Sequence, residues 1–350
     1  MNGLANLLGI SQPIFQGPLG GGHSTAKLAA AVSNAGGLGA FGVYTLSPEE
    51  ILRTAASIRE LTDKPFNLNL WVSNTDCLGG PPSRDELGRM QARLAPFFDE
   101  LGIEPPPVNV RTTHKFEEQA RAVIEARPAV FSFVFGIPSP EIMREAKSKG
   151  ILLAGSATTV DEAVTLEAAG VDVVIASGLE AGGHRPSFLA TPEDSLIGTM
   201  ALLPQVANAV RVPVVAAGGI ANAQGVRAAM ALGAQGVQVG TAFLACEESG
   251  APEIHRKLLL EPSARNTVLS RVYSGRLARG IRNRIYDQLR DERSLPFPSQ
   301  SWVVSTLREA ALKQGRADLI ALWCGQSAGL LKWTKAALVF QSLIEGLDRE

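Results

Sequence analysis

The sequence predicts a (β/α)8 TIM barrel with a C-terminal helical extension. Eight short runs rich in apolar and β-branched residues recur through the first 240 residues, with helix-like segments between them. The runs are apolar almost without interruption, as parallel strands covered on both faces must be. The competing fold, a doubly wound sheet, would carry a G-x-G-x-x-G fingerprint after its first strand, and none stands there.

Residues 13–16 form the first strand, followed by the glycine-rich turn 17–22 and a helix that Ser24 or Thr25 can cap, stopped by Gly36 and Gly37. The second strand is 38–41. Pro48, with Glu49 and Glu50 behind it, suits the first turn of a helix reaching about Leu61. The third strand is 66–71. The interval of about 73–128 reads as one enlarged crossover: Gly- and Pro-rich stretches at 77–84 and 105–107 bracket a helix over 85–101, and another helix spans 116–126. Strands at 129–133, 151–154, 171–175, 212–217 and 236–240 complete the eight, the last four preceded by helices at 140–149, 160–169, 195–210 and 222–232. This fold takes about 250 residues, so 1–260 are assigned to the barrel and 261–350 to the extension. Beyond residue 245, helices are expected over 253–260, 303–314 and 329–347, with a loop at Leu295, Pro296, Phe297 and Pro298.

Bulk properties narrow the function. Hydrophobic residues make up 45% and charged residues 19%, which supplies a large core and argues against disorder. A net charge of -1 gives no global pull toward nucleic acid or anionic membranes. Cys77, Cys246 and Cys324 form no C-x-x-C, which excludes a disulfide framework or zinc site and suits a reducing compartment. The N terminus lacks a signal-like segment, and no apolar run approaches the ~18 residues of a membrane span. The expectation is a cytoplasmic protein acting on a small molecule, with a homo-oligomer left open. Arg271, Arg276, Arg279, Arg282 and Arg284 lack the aromatic interleaving of a nucleic-acid patch; salt bridges or an anionic substrate tail account for them better.

Two stretches carry chemistry. The sixth strand runs into Ser177, Gly178, Glu180, Gly182, Gly183 and His184. A buried strand that delivers glycines, an acid and an imidazole to a βα loop is a common way to present a catalytic group. An imidazole titrates near neutral pH, so His184 suits either taking a proton or donating a hydrogen bond. Glu180 either orients it or pairs with Arg185 or a backbone N–H. His23 is read as a solvated loop residue, and His114 and His255 receive no role. The second stretch is the pair of loops after strands seven and eight, with Gly218 and Gly219 in one and Gly240 and Thr241 in the other. Barrels commonly hold phosphate at that corner, on backbone N–H groups that glycine leaves accessible. No G-K-[ST] is present, which excludes a P-loop nucleotidase and suits a monophosphate such as that of FMN. Gln16, Asn69 and Gln238 are amides near the C-terminal ends of apolar strands. They match the donors and acceptors of a flavin ring, or they pair within the core.

Gln16–Gly17–Pro18, the segment 28–39, the run Glu180 to His184, Gly218–Gly219–Ile220 and the run Gln238 to Thr241 together resemble the nitronate monooxygenase family, as do 274–280 and 325–330. The frame is shared with flavin-type enoyl-acyl-carrier-protein reductases. The resemblance implies an FMN-dependent barrel enzyme that oxidises alkyl nitronates such as propionate 3-nitronate, or nitroalkanes, and passes electrons to O2. It implies His184 as the catalytic histidine, removing a proton beside a nitro group or hydrogen-bonding nitro oxygens, and an FMN site formed by Asn69, Gly182, Gly219, Gln238, Gly240 and Thr241, to which Gln16, Pro18, Ser177, Gly183 and Gly218 are added. Ser177 stands where the family usually carries glutamine, Val134 where a polar residue is common, Leu19 where methionine is common, and Phe297 where tyrosine is frequent. Substrate identity is therefore open. The alternatives are an FMN-dependent NAD(P)H reductase acting on a quinone or enoyl thioester, and a barrel binding a phosphate ligand without redox turnover.

Overall fold

A computed structural model describes residues 3–72, 82–105 and 114–347. The expected eight parallel strands are β1 (Ile14–Gln16), β2 (Gly39–Gly42), β3 (Phe66–Trp71), β4 (Val130–Val134), β5 (Leu152–Ala157), β6 (Val173–Ser177), β8 (Val214–Ala217) and β9 (Gly236–Val239). Their order is β1-β9-β8-β6-β5-β4-β3-β2. A bridge between Phe15 and Leu38, with Gln16 N–H donating to Leu38 O at 2.9 Å, joins the two ends and closes the barrel. Cys77 and the Gly- and Pro-rich stretches at 77–81 and 106–107 lie outside the described residues.

Alternate strand residues serve two cores, because successive side chains point to opposite faces. Phe15, Val130, Ala154, Val173, Ile175 and Val215 cluster inside the barrel. Ile14, Leu68, Phe131, Leu153, Val174 and Val214 join the larger cluster under the surrounding helices. A helix that the sequence reading missed, α1 (Gly3–Leu8), plugs the N-terminal end with Leu4, Ala5 and Leu8. Gly236 makes room for it, since a β-carbon there would lie 2.8 Å from Leu4 Cδ2.

The outer helices begin where capping chemistry puts them. Thr25 caps α2 (Ala26–Asn34), while Ser47 and Ser83 form reciprocal capping boxes with Glu50 and Glu86 on α3 (Pro48–Arg59) and α4 (Arg84–Leu101). Then follow α5 (Phe116–Ala126), α6 (Pro140–Ser148), α7 (Val160–Ala169), α8 (Thr199–Ala209), α9 (Ala223–Ala231) and the single turn α10 (Thr241–Leu244).

Past the barrel the chain forms α11 (Glu253–Leu259), α12 (Arg284–Leu289), α13 (Ser299–Lys313) and α14 (Ala336–Ile344). It also forms strands where only helices were expected. The antiparallel pair β10 (Thr267–Ser270) and β11 (Ala278–Ile281) takes up the two-residue strand β7 (Gly183–His184) as its third member. β10 and β11 are four residues each and pair with each other locally, whereas the pairing of β11 with β7 reaches back more than ninety residues, which no local pattern announces. Phe97 and Phe98 of α4 share a second core with Leu259, Val303, Leu307 and Leu322, so the enlarged crossover and the extension pack together. Among the described residues no helix is long and apolar enough to cross a membrane.

Candidate active site

The two glycine loops lie side by side. Gly218 and Gly219 follow β8 with φ of +97° and +76°, a left-handed backbone that glycine adopts without strain. Gly240 follows β9 and has open space where a side chain would stand, so a ligand can approach its backbone. Gly17, next to Pro18 at the end of β1, touches this loop: a β-carbon there would lie 3.1 Å from Gly240 Cα. The extension adds a third wall. Gly325 N–H donates to Thr241 Oγ1 at 2.9 Å, and Gln326 N–H donates to Glu180 O at 3.0 Å. Gly182 packs so closely on this segment that a β-carbon would come within 2.6 Å of Gly325 N.

The three amides divide. Both ends of the Gln16 amide are engaged in the barrel wall, donating to Ala40 O at 2.8 Å and accepting from Ala40 N–H at 3.1 Å. Core pairing therefore accounts for Gln16. Asn69 Nδ2 donates to Ser132 Oγ at 2.9 Å, as Asn67 does from the same strand. Gln238 Oε1 is buried and has no partner among the described residues. Buried acceptors are ordinarily satisfied. An unmatched acceptor at the mouth, beside glycine loops open to a phosphate, fits the ring N–H donor of a flavin. Ser177, the last residue of β6, is buried, and its carbonyl accepts from Arg185 Nη1 at 2.6 Å.

His184 is seated by the extension. Its backbone pairs with Ala278 and that of Gly183 pairs with Arg279, while Arg185 N–H donates to Leu277 O at 2.8 Å. Its Nε2 lies 2.8 Å from Ser274 Oγ. Trp71 and Trp323 flank the ring, with centroids at 4.9 and 5.0 Å. Tyr44 stacks on Trp71 at 3.7 Å. The Arg276 guanidinium lies 3.5 Å from the ring centre of Phe135, 4.7 Å from that of Phe297 and 5.2 Å from that of Trp71. Phe135 holds this position with a φ of +63°, a strained conformation of the kind that collects at functional sites. Burial, and then the Arg276 charge, push the His184 pKa down to about 3. The imidazole is therefore neutral across the working range.

Other charged groups near the motif are structural. The Glu180 carboxylate accepts from Thr199 N–H and Thr199 Oγ1 at 2.9 Å, so the backbone reading of this acid prevails over orientation of His184. Arg185 holds the carbonyls of Ser177, Thr158 and Ser195. Arg271, Arg282 and Arg284 pair with Glu193, Asp287 and Glu100, while Arg279 donates to Leu179 O at 2.9 Å. His23 is not a solvated loop residue: it packs edge-on against His255 at 5.7 Å with its Nδ1 buried. Sequence reasoning gave Ser274, Trp71 and Trp323 no place at the site, and offered Arg276 only as one of five arginines suited to salt bridges or an anionic substrate tail. The Ser-Gly-Arg run was visible, but nothing local tied it to a loop ninety residues earlier.

A family model described as nitronate monooxygenase matches residues 2–347. A probable nitronate monooxygenase of Staphylococcus haemolyticus (strain JCSC1435) is 39% identical over 98% of this chain and 96% of its own length. Among solved structures, a nitroalkane oxidase from Streptomyces ansochromogenes superposes with a TM-score of 0.90 at 34% identity, covering 98% of this chain and 97% of the other. FabK from Thermotoga maritima gives 0.77 at 28% identity, covering 99% and 96%.

Proposed function

The chain belongs to the nitronate monooxygenase family and is a flavin-dependent oxidoreductase; from that premise we propose that it binds FMN and uses O2 to oxidise alkyl nitronates of the propionate 3-nitronate type. In this reading the substrate enters as the anion or as a nitroalkane that loses its proton in the site. The observation that carries it is the juxtaposition of a neutral His184 and the Arg276 cation in one aromatic-walled mouth, next to the paired glycine loops. Backbone N–H groups of Gly182, Gly218, Gly219, Gly240 and Thr241 would hold the phosphate, and Gly183, Gln238, Asn69, Ser177 and Pro18 would border the ring. Bound FMN supplies an electron acceptor for the nitronate and a route from there to O2. Arg276 favours a negatively charged substrate by charge, and Trp71, Phe135 and Phe297 exclude water, which strengthens that attraction. Toward a neutral nitroalkane, His184 is the group that takes the α-carbon proton; toward an anion it can only hydrogen-bond.

The purified protein should absorb near ~450 nm, or gain that absorbance on adding FMN. His184→Ala should keep the absorbance and lose about 10²–10⁴-fold in turnover of a neutral nitroalkane, the usual contribution of a general base. Wild-type rates in this variant refute the base. A preparation that stays colourless with added FMN refutes the flavin, and anaerobic bleaching by NADH but not by propionate 3-nitronate refutes the substrate.

A further inference from the structure

The hydrogen bonds around Ser274 point to it as a positioning residue that fixes which nitrogen of His184 carries the proton, leaving Nδ1 as the proton-accepting atom. This rests on the reading of His184 as a base, and it adds the residue and the atom that make it one. The Ser274 hydroxyl is buried and faces three polar groups. Arg276 N–H donates to it at 3.3 Å, Arg276 O lies at 3.3 Å, and His184 Nε2 lies at 2.8 Å.

A serine hydroxyl offers one proton and two lone pairs. The backbone N–H can only donate, so it takes one lone pair. The backbone carbonyl can only accept, so it takes the hydroxyl proton. One lone pair remains for His184, and it can only receive a proton from Nε2–H. Any other arrangement leaves the Arg276 carbonyl without this donor and places two acceptors against one proton. The neutral ring is then the Nε2–H tautomer, with its lone pair on Nδ1.

Gly275 makes the geometry accessible. Its φ of +87° folds the serine hydroxyl back onto the backbone of Arg276, and a β-carbon there would lie 2.3 Å from Leu295 O. In the step that follows, the α-carbon–hydrogen bond breaks and the proton bonds to Nδ1. The electron pair stays on the substrate and spreads onto the nitro oxygens. The imidazolium then donates Nε2–H to Ser274 and Nδ1–H to the nitronate. Nothing is oxidised in this step.

The test reads the ring directly. In holoenzyme labelled with [15N]histidine, the His184 nitrogens, assigned by their loss in His184→Gln, should show a protonated Nε2 and a bare Nδ1 at neutral pH. A protonated Nδ1 in the wild type overturns the proposal. Ser274→Ala should shift the ring to a tautomer mixture and lower kcat for a neutral nitroalkane about 10–100-fold, part of what a general base contributes. Its KM and flavin absorbance should stay near wild type, and Ser274→Thr should keep the wild-type tautomer. An unchanged tautomer in Ser274→Ala also overturns it. Because the ring is read without substrate, a wild-type enzyme that fails on every nitro compound refutes the proposed function, while the tautomer is still decided.

Discussion

His184 is held in surroundings that resist its protonation, and this has measurable consequences. With a pKa pushed down to about 3, the free enzyme has no histidine inflection near 6.5. The rate on a nitroalkane, corrected for its spontaneous ionisation, should therefore stay level as pH falls from 7 to about 5. An inflection at 6–7 that disappears in His184→Ala would contradict the assignment. Arg276→Gln removes the charge that helps depress this pKa, so the pKa should rise. The same variant should raise KM for an anionic nitronate by about 10–100-fold, the worth of a hydrogen bond to a charged group, with flavin absorbance kept. At this scale the sequence was legible where a residue's place follows from the strand that delivers it, as for Gly219 after β8, Thr241 after β9 and His184 in the loop after β6. It was illegible where the partner is distant. Ser274 and Arg276 gain their roles only through the pairing of β11 with β7. Gln16 looked equivalent to Gln238, and only the position of Ala40 separates them.

At the scale of elements, α7 shows how a helix start can serve a loop elsewhere. Glu162 is fully buried in the first turn, where an acid reads as ordinary dipole compensation. Its carboxylate accepts from Thr158 N–H and Oγ1, both at 2.6 Å, and from Phe188 N–H and Leu189 N–H at 2.6 and 3.1 Å. It thus ties the segment just after His184 to the end of β5. Glu162→Ala strands several buried donors and should destabilise the protein by roughly 3–5 kcal/mol, as removing one partner of a buried charged network does, measured by urea unfolding. A loss under 1 kcal/mol would mean that water replaces those bonds. Helix starts were read well where a local signal marks them, as Thr25, Asn222 and Pro48 do within one turn; α8, α13 and α14 have no side-chain cap and begin at Thr199, Ser299 and Ala336, away from the expected 195, 303 and 329. The β7–β11 pairing escaped for the opposite reason, since its two strands lie more than ninety residues apart.

Across the whole molecule, three histidines hold depressed pKa values: His23 and His255 at about 4 and His184 at about 3, each chiefly through burial. The unfolded chain binds their protons near pH 6.5, so between about 4 and 6.5 it holds more protons than the folded protein. Stability must therefore rise with pH across that window and fall as the solution is acidified through it. The melting temperature should drop between pH 6.5 and 4, and less steeply in His255→Gln; a flat or rising trend would contradict this. The barrel was legible at this scale because every strand is covered on both faces and so is written in apolar residues. The seating of His184 by β11 also has a consequence in time. More than ninety residues separate His184 from Ala278, roughly 5–20 s of synthesis at 5–20 residues per second. A nascent chain thus exposes the loop that carries His184 well before the segment that seats it has been made.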